Sequence, residues 1–187
     1  ASGRAQTLSA ALATAIGQKK IGAVIASGDF TFLGSEGEFA EARVSLNRLL
    51  GLLDLSPDHL MIVPGNHDIQ WTTDDTYSEG AAVSAASPAA RRNYERFYEQ
   101  MFQHSPSEHL GMGRRWLLPS GLMIDIAALN SSSLQTGRNF LAGMGRIDEA
   151  SFQDVRSKLG WQSSQDGNPS STLALRLLVI HHHLTVT

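Results

Sequence analysis

The spacing of apolar residues divides the chain into helical and strand-like stretches. Residues 4–16 set Ala5, Leu8, Leu12, Ala15 and Ile16 on one face at helical spacing, and Gly17 supplies a C-terminal stop. Residues 21–26 are almost continuously apolar, the pattern of a strand covered on both faces. Residues 38–53 return to helical spacing through Phe39, Leu46, Leu49, Leu50 and Leu53, ending near Pro57, and residues 60–63 form the next strand. This order of helix, strand, helix, strand predicts right-handed crossovers and a mostly parallel sheet, hence an α/β fold. Between about residues 70 and 115 the pattern loosens into an excursion holding one helix. There Ser87 caps, Pro88 takes the first helical position, and Tyr94, Phe97, Tyr98, Met101 and Phe102 make an aromatic face suited to core packing. Residues 122–129 predict a strand. Asp148 opens a helix with Ile147 stapled against Phe152, residues 160–171 form a loop, and residues 173–180 are the last strand. With no repeat or second composition regime, residues 1–187 are one domain.

Three of these strands run directly into polar residues with ligand chemistry. The first leads to Ser27-Gly28-Asp29, the second through Pro64 to Gly65-Asn66-His67-Asp68, and the last to His181-His182-His183. Open α/β sheets collect their ligands at the carboxyl ends of strands, so one contiguous sheet would gather Asp29, Asn66, His67 and His181 at one edge. An Asn carbonyl ligates metal, a neighbouring imidazole donates to a phosphoryl oxygen, and glycine allows close approach. Strand alternation would send His181 and His183 to one side and His182 to the other.

Charge and composition narrow the chemistry. The formal net charge is −3 and the basic residues are dispersed, so extended nucleic-acid binding is not indicated. Arg91-Arg92 and Arg114-Arg115 are the paired basics, each read as a solvated helix or loop face. The absence of cysteine leaves oxygen and imidazole as the metal ligands and points to the cytoplasm. No apolar run approaches the roughly 20 residues of a membrane helix. His59, His104 and His109 stand alone in polar loops and are read as surface residues.

In this order, Gly28-Asp29, Gly65-Asn66-His67-Asp68 and a strand closing in His181-His182 resemble the calcineurin-like metallophosphoesterases. The resemblance implies a layered sheet sandwich flanked by helices that hydrolyses phosphate esters, monoesters or diesters, with a hydroxide activated by two divalent ions of manganese, iron or zinc. It implies metal ligation by Asp29, as a bridge between the ions, by Asn66 and by His181. It makes His67 the catalytic histidine that contacts the phosphoryl or leaving-group oxygen. Asp68 is then placed to orient His67 by accepting from its other ring nitrogen, and His182 is a neighbour or supporting group.

The sequence departs from the family where an Asp-x-His on the first strand and a terminal Gly-His-x-His are expected. The chain is therefore read as incomplete at both ends, with flanking segments in a larger protein. The alternative is a catalytically inactive binding or scaffold domain.

Overall fold

The computed structural model describes residues 8–17, 19–69, 88–118, 120–133, 145–161 and 174–182. In chain order these form α1 (Leu8–Ile16), β1 (Val24–Ala26), α2 (Glu36–Leu52), β2 (Leu60–Ile62), α3 (Pro88–Phe102), β3 (Met112–Leu117), β4 (Met123–Ala128), α4 (Glu149–Lys158) and β5 (Ala174–Val179). Single turns of 3-10 helix stand at Pro57–His59 and Asn66–Asp68. The class is mixed α/β. The caps expected from Ser87 and the helix start over residues 4–7 lie outside the described residues, as does His183.

Helix α2 begins where its sequence can satisfy the first free N–H groups. Ser35 is the N-cap, and the Glu38 carboxylate reaches back to accept from Ser35 N at 3.0 Å, forming a capping box. The same carboxylate accepts from Phe32 N at 3.0 Å and Leu33 N at 3.2 Å, so it also holds the loop leading into the helix. The bond from Ser35 leads the donors that hold the Glu38 carboxyl down at about 2. Helix α4 starts at Asp148 without a side-chain cap bond, while Ile147 and Phe152 both pack on the small cluster of Ala127, Leu129, Val155 and Leu159. Burial of the apolar contacts flanking its first turn, rather than an Asp148 cap, supports this helix start.

The strands do not form the single, mainly parallel sheet expected. β1 and β2 pair in parallel with Val24 opposite Leu60 and Ala26 opposite Ile62. The other sheet has the order β3-β4-β5, with β3 antiparallel and β5 parallel to β4. At the seam, the Ile62 N–H donates to Met112 Sδ at 3.4 Å instead of to a strand carbonyl. A side chain thus occupies the ladder position through which a sheet would continue.

β2 is buried throughout. It sits in a core with Phe39, Leu50, Tyr94, Phe97 and Met101, so the aromatic face of α3 packs inward as its spacing predicts. β1 was expected to be covered on both faces, but it lies at a sheet edge and Ile25 is 40% exposed. No helix among the described residues is long and apolar enough to cross a membrane.

Arg114-Arg115 belongs to β3 and is not a solvated helix or loop face. Arg115 stands opposite Asp125 on β4, and its guanidinium binds that carboxylate at 2.6 and 2.9 Å. Trp161 Nε1 donates to Asp125 Oδ2 at 2.6 Å, and Arg176 lies 5.1 Å over the Trp161 ring. The Asp125 side chain is 1% exposed, so its charge persists because these donors replace water. The Arg115 hydrogen bond is the first cause that holds its carboxyl below the usual range.

A depressed carboxyl contributes stability above its unfolded value near 4, and that contribution is lost as pH falls through the folded value. Asp125→Asn should therefore lower unfolding free energy by about 2 kcal/mol near neutrality, less than a fully buried pair because Arg115 is 47% exposed. Denaturant titrations at neutral pH and below pH about 4 should show the gap between wild type and variant narrowing in acid.

Candidate functional site

The parallel pairing of β1 and β2 delivers the two chains side by side, and each then turns sharply. Gly28 has φ of +102°, and a side chain there would place Cβ 2.4 Å from Gly65 N and 2.9 Å from His181 Nδ1. A Cβ on Gly65 would stand 2.2 Å from Asp29 Oδ1 and 2.4 Å from Asp29 N. The two turns lie back to back at a distance only glycine permits. Asp29 itself has φ of +56°, in the left-handed region that Asp tolerates better than most residues.

This packing brings together Asp29, Asn66 and His181. His181 Nδ1 lies 2.8 Å from the Ser27 carbonyl oxygen. A carbonyl only accepts, so Nδ1 carries the proton and the other ring nitrogen, in the neutral ring, presents a lone pair. That nitrogen, Nε2, faces Asn66 Oδ1 at 3.1 Å and Asp29 Oδ1 at 3.3 Å. Three acceptors converge without a hydrogen between them. Turning the Asn66 amide over would supply one N–H but would leave Asp29 Oδ1 facing the same lone pair. A metal ion placed among these lone pairs would satisfy them.

The donor set fits a metal. Ligands about 2.1–2.2 Å from an ion, at right angles, stand about 3 Å apart, close to the separations found here. Carboxylate, amide oxygen and imidazole suit a divalent ion of intermediate hardness. Among the described residues no group of three or more His, Cys, Asp or Glu gathers as a metal cluster, and here the third member is an amide.

His182 is held differently. Ser131 Oγ accepts from the backbone N–H groups of both His181 and His182 at 3.2 Å, so its own proton is available for His182 Nδ1 at 2.9 Å. The contact assigns His182 as the acceptor at Nδ1, opposite to His181. β5 ends at Val179, and strand alternation does not extend through the two histidines.

His67 is tied to the cluster through its backbone, its N–H donating to Asp29 Oδ1 at 3.2 Å. Its ring Nδ1 lies 2.8 Å from the Phe32 carbonyl oxygen, and the Phe32 ring stacks on the imidazole at 5.4 Å with 15° between planes. The carbonyl accepts from Nδ1–H, so in the neutral ring Nε2 carries the lone pair.

The orienting role expected of Asp68 therefore falls to the Phe32 carbonyl, and Asp68 acts elsewhere. It is buried, accepting at Oδ1 from Thr31 N at 3.0 Å and at Oδ2 from Gly65 N at 2.8 Å. Thr31 Oγ1 lies 2.9 Å from the His67 carbonyl and 3.1 Å from Asp68 Oδ1. The single hydroxyl proton is shared between these two acceptors, and the hydroxyl oxygen accepts from Gly34 N at 3.1 Å. Burial, the first cause, pushes the Asp68 carboxyl up to about 6 against the opposing pull of these donors. Asp68 staples the Gly65 turn to the Thr31 loop.

Thr31, Phe32 and Ser131 were not singled out from sequence. A buried threonine, a carbonyl and a serine hydroxyl carry no ligand motif, and only the fold assigns their partners. Comparison with models of known protein families gives no match, and comparison with curated proteins gives none.

Two substitutions probe this geometry. Gly65→Ala should destabilise the protein by about 2–3 kcal/mol, because the atoms it meets include Asp29 backbone. Gly22→Ala, with nothing within 4 Å, should leave stability unchanged in the same thermal measurement. Asp68→Asn turns an amide NH₂ toward either Thr31 N or Gly65 N and should cost about 1–3 kcal/mol in denaturant unfolding. Unchanged stability would show that Asp68 does not hold the Gly65 turn to the Thr31 loop.

Proposed function

We propose that the chain is a metal-dependent phosphoester hydrolase of the calcineurin-like metallophosphoesterase type, acting on phosphate monoesters or diesters. The observation that carries this reading is the convergence of His181 Nε2, Asn66 Oδ1 and Asp29 Oδ1, read as a cation site whose carboxylate also accepts the His67 backbone N–H. Helices packed with two small sheets are compatible with the layered sandwich of that family.

In this reading Asp29, Asn66 and His181 would hold a divalent ion, Asp29 supplying the negative charge. When bound, divalent ions neutralise phosphoryl charge and acidify water. Asn66 contributes an oxygen without adding negative charge, which limits repulsion of an anionic ester. His67 Nε2, with Nδ1 held by the Phe32 carbonyl, donates a proton to the departing ester oxygen when the ring is protonated. Asp68 keeps the turn that carries Asn66 and His67 in place.

The test combines manganese calorimetry with hydrolysis of bis(p-nitrophenyl) phosphate and p-nitrophenyl phosphate. Asp29→Ala and His181→Ala should weaken manganese binding by at least tenfold and abolish turnover. His67→Ala should keep manganese binding and lower kcat by roughly a hundredfold to ten-thousandfold. Equal manganese affinity in wild type and Asp29→Ala would overturn the metal site. Tight binding without turnover of either ester by wild type would favour a binding domain.

A further inference from the structure

We propose that Phe32, one of an exposed pair with Leu33, forms the subsite for the leaving group of the phosphoester and selects an apolar, ring-bearing alcohol; this rests on the phosphoester reading above. These consecutive residues are 71% and 66% exposed, although the flanking Thr31 and Gly34 are buried. Their exposure is built into a fixed loop. The Glu38 carboxylate accepts both their N–H groups, Thr31 N donates to Asp68, and Asn93 Nδ2 donates to the Gly34 carbonyl at 2.9 Å. The loop thus holds two large apolar side chains toward water while its backbone polar groups are bonded inward.

The location of the pair relates it to the chemistry. Phe32 contacts His67 twice, through its carbonyl on Nδ1 and through its ring on the imidazole face. In ester hydrolysis water forms a bond to phosphorus, the ester P–O bond breaks, and the departing oxygen takes a proton, here from His67 Nε2. The alcohol attached to that oxygen leaves beside the imidazole, where the Phe32 ring is the adjoining apolar surface. A ring there gains aromatic contact and removes apolar area from water, whereas a methyl group gains little.

Binding to the manganese-loaded protein tests this without turnover. Calorimetry should give phenylphosphonate an affinity about tenfold above that of methylphosphonate in wild type. Phe32→Ala, which keeps the backbone carbonyl on His67, should bring the two affinities to within about twofold of each other, and Phe32→Tyr should retain the difference. Equal affinity for the two phosphonates in wild type, or an undiminished preference in Phe32→Ala, would overturn the subsite alone. Weakened methylphosphonate binding in Phe32→Ala would also overturn it, by showing that the ring acts through His67. Failure of both phosphonates to bind wild type, together with no hydrolysis of the p-nitrophenyl esters, would overturn the phosphoester reading and the subsite with it.

Discussion

The close passage of two backbone turns, Gly28 against Gly65, is the constraint on which the site depends. Parallel pairing of β1 and β2 puts the turns next to each other, but the absence of two β-carbons lets them touch. Once they touch, the Asp29 carboxylate lies under Gly65 and meets the His67 N–H, and His181 reaches across to the Ser27 carbonyl. The left-handed backbone at Asp29 is a local strain of order 1 kcal/mol, and it persists because the surrounding bonds leave that loop no other course.

The carboxylates show how surroundings assign different work to one chemical group. Asp29 is partly exposed and faces other acceptors, which favours a cation. Asp68 is enclosed and serves three donor contacts, so its two oxygens organise backbone, and burial raises its proton affinity. Asp125 is enclosed as well, but the Arg115 guanidinium keeps it ionised. Glu38 gathers the loop ahead of α2 and thereby sets the direction of Phe32. A bent loop, a buried staple and a helix cap together hold the backbone around His67 in place.

The site lies at the junction of two sheets. β1 and β2 contribute Asp29, Asn66 and His67, while β5 contributes His181 and the end of β4 contributes the Ser131 hydroxyl that anchors it. Ser132 Oγ donates to the Pro64 carbonyl at 3.3 Å, a second stitch between the sheets. Convergence at strand ends therefore arises without one continuous ladder, since Met112 occupies the Ile62 N–H at the seam.

Much of this was legible in the order of residues because local chemistry leaves local marks. Helical spacing located α2, α3 and α4 to within a few residues, and apolar runs located β1, β2, β4 and β5. The strand-to-polar transitions singled out Asp29, Asn66, His67 and His181, which the fold brings together. β3 was missed because Arg114 and Arg115 interrupt its apolar pattern, and what makes them tolerable in a strand, Asp125 opposite Arg115, is a partner ten residues away on another strand. The split into two sheets, the exposed edge of β1 and the duties of Asp68 and Phe32 were likewise decided only in three dimensions. Periodicity reports which face of an element is buried, whereas hydrogen-bond partners and ring tautomers depend on atoms that distant segments bring within about 3 Å, and no local spacing encodes those distances.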